Sequence, residues 1–304
     1  MLYLYIGLGV IAFFLLGFFL SILIVTPLCY KRLFHRKELS PNALSDAHYA
    51  PFRKEILDAK ARMEALPYKE LTCVSYDGTE LYAKYYDFGR DKTVIFMHGV
   101  FTHPLINFSV HAERFIEWGF NVLLPDERAH GKSGGNETTY GYRERYDLLA
   151  WIDLERKRTN HKIVVYGTSM GAMAVALASD QMPEGVCAAV YDCGFCSMSD
   201  NMRYFSKRYH APYLMFWLMN GMCRRRLAID LDESAEEHLK RSKIPAVFVH
   251  GTEDVATLAK NSEINYRACA APKELIMVEG CGHTTAAMSD ETSQKVYQFI
   301  KKYI

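Results

Sequence analysis

A serine hydroxyl attacks a carbonyl only when a base takes its proton, so the first residues to find are an isolated serine, a histidine and an acid. The stretch VVYGTSMGAM, residues 164–173, sets Ser169 between Gly167 and Gly171 behind a β-branched run. Glycines at those two places permit a strained strand-to-helix turn and close helix–strand packing. His283 stands in CGHTT, residues 281–285, and Asp254 ends GTED, residues 251–254. An imidazole with an ordinary pKa near about 6.5 can accept the serine proton and return it to a leaving group. A carboxylate would hold the imidazole's tautomer and stabilise the imidazolium. Asp254 is the expected acid; Asp192, ending CAAVYD, and Glu253 are the alternatives. The Met170 N–H, directly after the serine, is placed to stabilise an oxyanion.

Each of these motifs follows a run that reads as a buried strand. TVIFM precedes HGVFTH, VLLPD precedes ERAHGKSGG, VVY precedes GTSMG, VFVH precedes GTED, and IMVEG precedes CGHTT. GVCAAVYD and ELIMVEG also read as buried strands, and residues 71–88 as two strands joined at Asp77-Gly78. Residues 111–119, 142–158 and 170–179 read as helices, the second with Tyr142, Tyr146, Leu149 and Ile152 on one face. The alternation predicts a mostly parallel sheet with helices on both faces. Catalytic groups in such sheets lie past the carboxyl ends of strands.

DERAHGKSGG, residues 126–135, and the order Ser169, Asp254, His283 resemble the α/β-hydrolase superfamily. The likeness spans residues 71–304. It is to the serine esterase and lipase-like branch: bacterial cinnamoyl/feruloyl-type esterases, monoacylglycerol-lipase-like enzymes and membrane-anchored bacterial relatives. The resemblance implies an α/β-hydrolase fold and a second oxyanion donor at Val100 N–H, with Phe101 as the alternative. It implies that His98 and His103 shape the oxyanion loop, and that Asp126, Arg128, His130 and Ser133 form a structural turn. No metal or organic cofactor is implied. The family usually continues from the acid to Val-Pro, whereas this chain reads DVATLA.

Residues 195–240 interrupt the alternation with methionines and aromatics and are expected to form a helical cap. Met198, Tyr204, Phe205, Phe216 and Trp217, with Phe101, are the expected substrate-binding side chains. CGFC, residues 193–196, lacks the surrounding signals of a redox or zinc site and is read as incidental. The RRR at 224–226 is read as a solvated surface, with contact to anionic lipid as the alternative.

Residues 1–30 carry no charged side chain. Residues 2–26, as a helix, exceed the roughly 30 Å hydrocarbon core. With no basic start and no small-residue cleavage site, the segment is read as an uncleaved single-pass anchor. Cys29 is read as a free thiol, with palmitoylation as the alternative. Lys31, Arg32, Arg36 and Lys37 follow the anchor, which places the catalytic domain on the cytoplasmic side; the opposite orientation is the alternative. The eight cysteines then read as buried thiols in a reducing compartment. Residues 31–68 are expected to form a basic juxtamembrane segment and a linker helix, with Phe52, Ile56, Ala59 and Met63 on one face. Residues 69–304 are expected to form the catalytic domain. A net charge of +1 with no basic–aromatic stripe argues against nucleic acid. The expected function is hydrolysis of an acyl or lipid-like carboxylic ester through an acyl-enzyme. A thioesterase or small-peptide/amide hydrolase is the enzymatic alternative, and a catalytically silent membrane-tethered binding or scaffold protein the other.

Overall fold

The β-branched and aromatic runs become eight strands: β1 (Lys69–Val74), β2 (Glu80–Tyr86), β3 (Lys92–Met97), β4 (Asn121–Asp126), β5 (Lys162–Thr168), β6 (Val186–Asp192), β7 (Ala246–Gly251) and β8 (Lys273–Val278). The computed structural model describes residues 1–36, 44 and 47–304, and Lys37 lies outside them. The strands form one sheet in the order β1-β2-β4-β3-β5-β6-β7-β8. β1–β2 and β2–β4 are antiparallel, and every later pair is parallel. This is the expected mostly parallel sheet.

Among the described residues, ten α-helices accompany it: α1 (Leu2–Phe34), α2 (Arg53–Ala65), α3 (Pro104–Glu117), α4 (Glu144–Arg158), α5 (Met170–Ala178), α6 (Met198–Tyr209), α7 (Tyr213–Leu227), α8 (Ala235–Leu239), α9 (Lys260–Ala268) and α10 (Asp290–Ile300). Alternate residues of the central strands feed two cores. Ile95, Met97, Ile163 and Val165 enter one, and Val94, Phe96, Val164 and Tyr166 the other. A period of two puts these sets on opposite faces of the sheet. Both faces are therefore covered, as parallel sheets require. α6, α7 and α8 lie between β6 and β7 in the chain; α6 and α7 pack together as the helical cap, whereas α8, expected within it, packs on α5 and α9 beside the sheet.

Three local expectations change. β8 is a half-buried edge, with only Ile276 fully buried, because nothing pairs with its outer side. α3 opens at residue 104 instead of 111, because Pro104 suits a first helical position and the His103 imidazole accepts from Leu105 N–H at 3.1 Å. α4 buries Glu144, Asp147, Leu148, Trp151, Ile152 and Glu155, while Tyr146 and Leu149 stay half-exposed. The rotation follows from hydrogen bonding: Arg128 clasps Asp147, Thr139 donates to Glu144, and Thr93 donates to Glu155. A buried carboxylate is tolerated when paired in this way.

α2 buries Ile56, Ala59 and Met63 and packs on α3, where Arg62 pairs with Glu113 at 2.6 Å. α1 is long and apolar enough to cross a membrane by length and composition, from Tyr5 to Phe34. It runs four residues past the expected boundary at 30, because its last turn is drawn into the domain. Tyr30 and Phe34 are fully buried; Thr138 N–H donates to Phe34 O at 2.8 Å and Tyr140 Oη to Leu33 O at 3.1 Å. Arg36, expected only as a basic flank, donates its side chain to Ser133 O at 2.8 Å.

Candidate active site

Ser169 occupies the abrupt passage from β5 to α5, with φ 53° and ψ −113°. Such a backbone is strained for any residue with a Cβ and projects the side chain from the turn. The two flanking glycines make the turn possible. A Cβ on Gly171 would lie 1.9 Å from Met97 O, and one on Gly167 would lie 2.3 Å from Gly171 O. His283, in the loop after β8, brings Nε2 to 2.9 Å from Ser169 Oγ and Nδ1 to 2.6 Å from Asp254 Oδ2. Nδ1–H can therefore donate to the carboxylate while Nε2 accepts from the serine hydroxyl.

The loop after β7 holds Asp254 in place although DVATLA lacks the family's Val-Pro. Asp254 Oδ1 accepts from Ala256 N–H at 2.8 Å and Thr257 N–H at 2.9 Å, and Oδ2 accepts from Thr257 Oγ1 at 3.0 Å. Burial alone would raise its pKa, but hydrogen bonds from His250 and His283 more than offset that. The carboxyl is held well below the usual carboxylate range. Burial likewise opposes the His283 imidazolium, yet the neighbouring Cys193 and Asp254 groups prevail and its pKa is raised. Asp192 lies elsewhere. Its backbone O accepts from Ser169 N–H at 2.9 Å, and among the described residues its Oδ2 accepts only from Tyr166 Oη, at 3.4 Å. Burial pushes its carboxyl up to about 7. Glu253 is exposed at the pocket rim. The geometry thus pairs Asp254, and neither Asp192 nor Glu253, with the imidazole.

The loop after β3, the candidate oxyanion loop, is held by two buried neutral histidines. His130 Nδ1 donates to Arg128 O at 2.9 Å, and its Nε2 accepts from Phe101 N–H at 2.9 Å. His98 Nδ1 donates to Gly99 O at 2.7 Å, and its Nε2 accepts from Glu127 N–H at 3.0 Å. Burial lowers both pKa values, which keeps each ring an acceptor at Nε2. Gly99 N–H is taken by Asn107 Oδ1 at 2.8 Å. The Phe101 N–H is already taken by His130, which favours Val100 over Phe101 as the second donor. The 126–134 turn that carries His130 is itself braced: Ser133 Oγ donates to Asp126 O, Lys132 N–H to Asp126 Oδ2, and Arg128 to Asp147 and Asp77.

The chain matches the family model for serine aminopeptidase, S33, over residues 89–228. It is 26% identical to the Pyrococcus furiosus esterase Pf2001, with a TM-score of 0.63 covering 80% of this chain and 95% of the esterase. The chain has the α/β-hydrolase fold. Among relatives of this hydrolase, YqkD of Bacillus subtilis is 29% identical over 221 residues, 68% of each protein. Bem46 of Schizosaccharomyces pombe is 25% identical over 183 residues, 59% of this chain and 57% of its own. Est1E of Butyrivibrio proteoclasticus, solved with ferulic acid, shares the fold at a TM-score of 0.55 and 18% identity, over 76% of this chain and 97% of its own.

Ser169 and His283 open into a cavity of about 830 Å³ walled by Val100, Phe101, Met198, Met202, Phe205 and Phe216. Two of the expected binding residues of the hydrolase lie outside it. Tyr204 packs on Phe205 and accepts from Arg208 at 3.1 Å, and Trp217 is 68% exposed. One step along a helix turns a side chain by about 100°, which carries Tyr204 and Trp217 off the face that Phe205 and Phe216 present to the cavity. Leu33 of α1 and Tyr140 also line the cavity. No local pattern in the sequence marks them, because Leu33 reads as part of a basic flank. Cys193 Sγ, Asp254 and His283 lie within 4.8 Å of one another, a donor set of the kind that holds a metal, although Asp254 and His283 are already bonded to each other. Cys193 and Cys196 are buried free thiols, and burial pushes Cys196 up to about 12.

Proposed function

We propose that this protein is a membrane-anchored serine hydrolase that cleaves carboxylic esters of acyl or lipid-like molecules. The observation that carries this reading is the continuous line from Ser169 Oγ through His283 to Asp254, at 2.9 and 2.6 Å, opening into an apolar cavity. Ser169 attacks the carbonyl as His283 takes its proton. The Met170 and Val100 N–H groups stabilise the oxyanion, and the imidazolium protonates the leaving alcohol. Water, activated by the same imidazole, then releases the acid. The likeness to an esterase supports an ester, and the methionine and phenylalanine walls support an acyl chain. α1 serves as the anchor. Its basic flank and the free thiols support a cytoplasmic catalytic domain.

The test uses the full chain in detergent. A fluorophosphonate probe is expected to modify Ser169, and p-nitrophenyl esters from acetate to palmitate are expected to turn over. Ser169→Ala should abolish both. A folded protein that gains no adduct on Ser169, or an esterase activity that survives Ser169→Ala, refutes the reading.

A further inference from the structure

The last turn of α1 is fitted into the hydrolase bond by bond. A helix leaves its final carbonyls without intrahelical partners. Here the domain supplies donors: Thr138 N–H to Phe34 O at 2.8 Å, and Tyr140 Oη to Leu33 O at 3.1 Å. Arg36 N–H donates to Asn136 O at 2.7 Å, so residues 34–36 and 136–138 form a short antiparallel bridge at His35 and Glu137. Tyr30 Oη donates to Glu137 Oε1 at 3.2 Å, and the Tyr140 ring meets Phe34 edge-on at 5.4 Å. Tyr140 holds this place at φ 55°, a left-handed backbone that is strained for an aromatic residue. Glu144 keeps it there by accepting from the N–H groups of Thr139 and Gly141, at 2.7 and 2.9 Å. A tether that only held the domain near a membrane would need none of these bonds.

Leu33 is what this docking delivers to the site. Its side chain is half-buried and lines the Ser169 cavity. The lining divides by chemistry. Tyr140, Phe195, Met198 and Met202 belong to one core cluster, and Leu33 and Phe216 pack against that same cluster. Together they form the apolar wall. His48, Tyr49, Glu253 and Thr284 belong to the polar part of the lining. An acyl chain gains free energy with each methylene it takes out of water, so it lies along the apolar wall. One side chain of that wall, Leu33, comes from the anchor helix, and its backbone is held by Tyr140, which is itself part of the wall.

We propose that Leu33 is a specificity-determining residue: the end of the anchor helix is a fixed part of the acyl-chain wall, and the substrates it suits are esters whose acyl chain is long enough to reach α1. A larger side chain at position 33 leaves less room for the chain, and a smaller one leaves more. The proposal rests on the reading of Ser169 as the nucleophile of an acyl-ester hydrolase.

The test measures kcat/KM for p-nitrophenyl esters from acetate to palmitate with the full chain in detergent. The proteins are the wild type, Leu33→Ala, Leu33→Phe and, as a control, Leu28→Phe; Leu28 lies on the same helix, exposed and outside the cavity. The leaving group is constant, so a changed profile belongs to the acyl chain. Each profile is read within one protein, so a lower folded fraction scales every ester alike and cancels. Leu33→Phe is expected to move the optimum to shorter chains and to lower kcat/KM for the longest esters, relative to acetate, by about tenfold, chiefly through KM. Leu33→Ala is expected to move the optimum to longer chains, and Leu28→Phe to keep the wild-type profile. An optimum that the two Leu33 variants leave in place or move in the same direction, or that Leu28→Phe moves as far, overturns the proposal while leaving the serine hydrolase standing. Absence of Ser169-dependent turnover with every ester refutes that reading itself, and the proposal falls with it.

Discussion

Replacing Asp254 with asparagine separates the two candidate acids, because the surrounding hydrogen bonds dictate how the new amide must sit. Oδ1 accepts from two backbone N–H groups, those of Ala256 and Thr257 at 2.8 and 2.9 Å. The asparagine carbonyl oxygen keeps that place, which puts its NH2 where Oδ2 was, 2.6 Å from His283 Nδ1. An NH2 group can only donate. Nδ1 must then accept, and the ring proton moves to Nε2, 2.9 Å from Ser169 Oγ. An imidazole protonated at Nε2 cannot take the serine proton. The expected loss is about 10⁴-fold in kcat, or about 5 kcal/mol of transition-state stabilisation. Asp192→Asn replaces a buried carboxyl whose pKa is pushed up to about 7 and which does not touch His283, so its kcat is expected to stay within about tenfold of the wild type. The assay is p-nitrophenyl butyrate turnover by proteins matched for circular dichroism and melting temperature. If Asp192→Asn is inactive and Asp254→Asn is not, in proteins that melt alike, the reasoning is refuted.

The pH profile and the glycines of the turn offer further checks. His283 must be neutral to act as base, and its pKa is raised, so kcat/KM is expected to fall as pH drops through a midpoint above 6.5. Asp254→Asn should shift that limb toward acid, because the carboxylate that favours the imidazolium is gone; an unmoved limb contradicts the assignment. Gly171→Ala places a Cβ 1.9 Å from Met97 O and is expected to cost more than about 4 kcal/mol or to prevent folding. Gly221→Ala, with nothing within 4 Å in the middle of α7, should instead stabilise by up to about 1 kcal/mol in thermal unfolding.

Much of the site was legible in the sequence because its chemistry sits at strand ends, and strands announce themselves by short apolar runs. Ser169, Asp254 and His283 each follow such a run, and Gly167 and Gly171 mark a turn that no larger residue could make. The apolar length of α1 was equally plain, since it depends on composition alone. Contacts between segments distant in the chain were not legible. The sequence left the acid open among Asp254, Asp192 and Glu253, and only the folding of the loop after β7 against the loop after β8 brought one of them to His283. The choice of Val100 over Phe101 depended on His130, 29 residues away, claiming the Phe101 N–H. The inward face of α4 turned on acids paired across the fold, which hydrophobicity reads as surface. Phe216 and Trp217 are neighbours in the chain with opposite fates, because a helix turns by about 100° per residue and only the packed cap defines which way is in. Leu33, read as part of a basic flank, became a wall of the cavity because the last turn of α1 is bonded to residues 138–140, more than a hundred positions later. Residue types and local periodicity determined the strands, the turn and the span. Which carboxylate meets His283, which loop N–H is already taken, and which side chains wall the cavity were decided by which surfaces met when the chain folded.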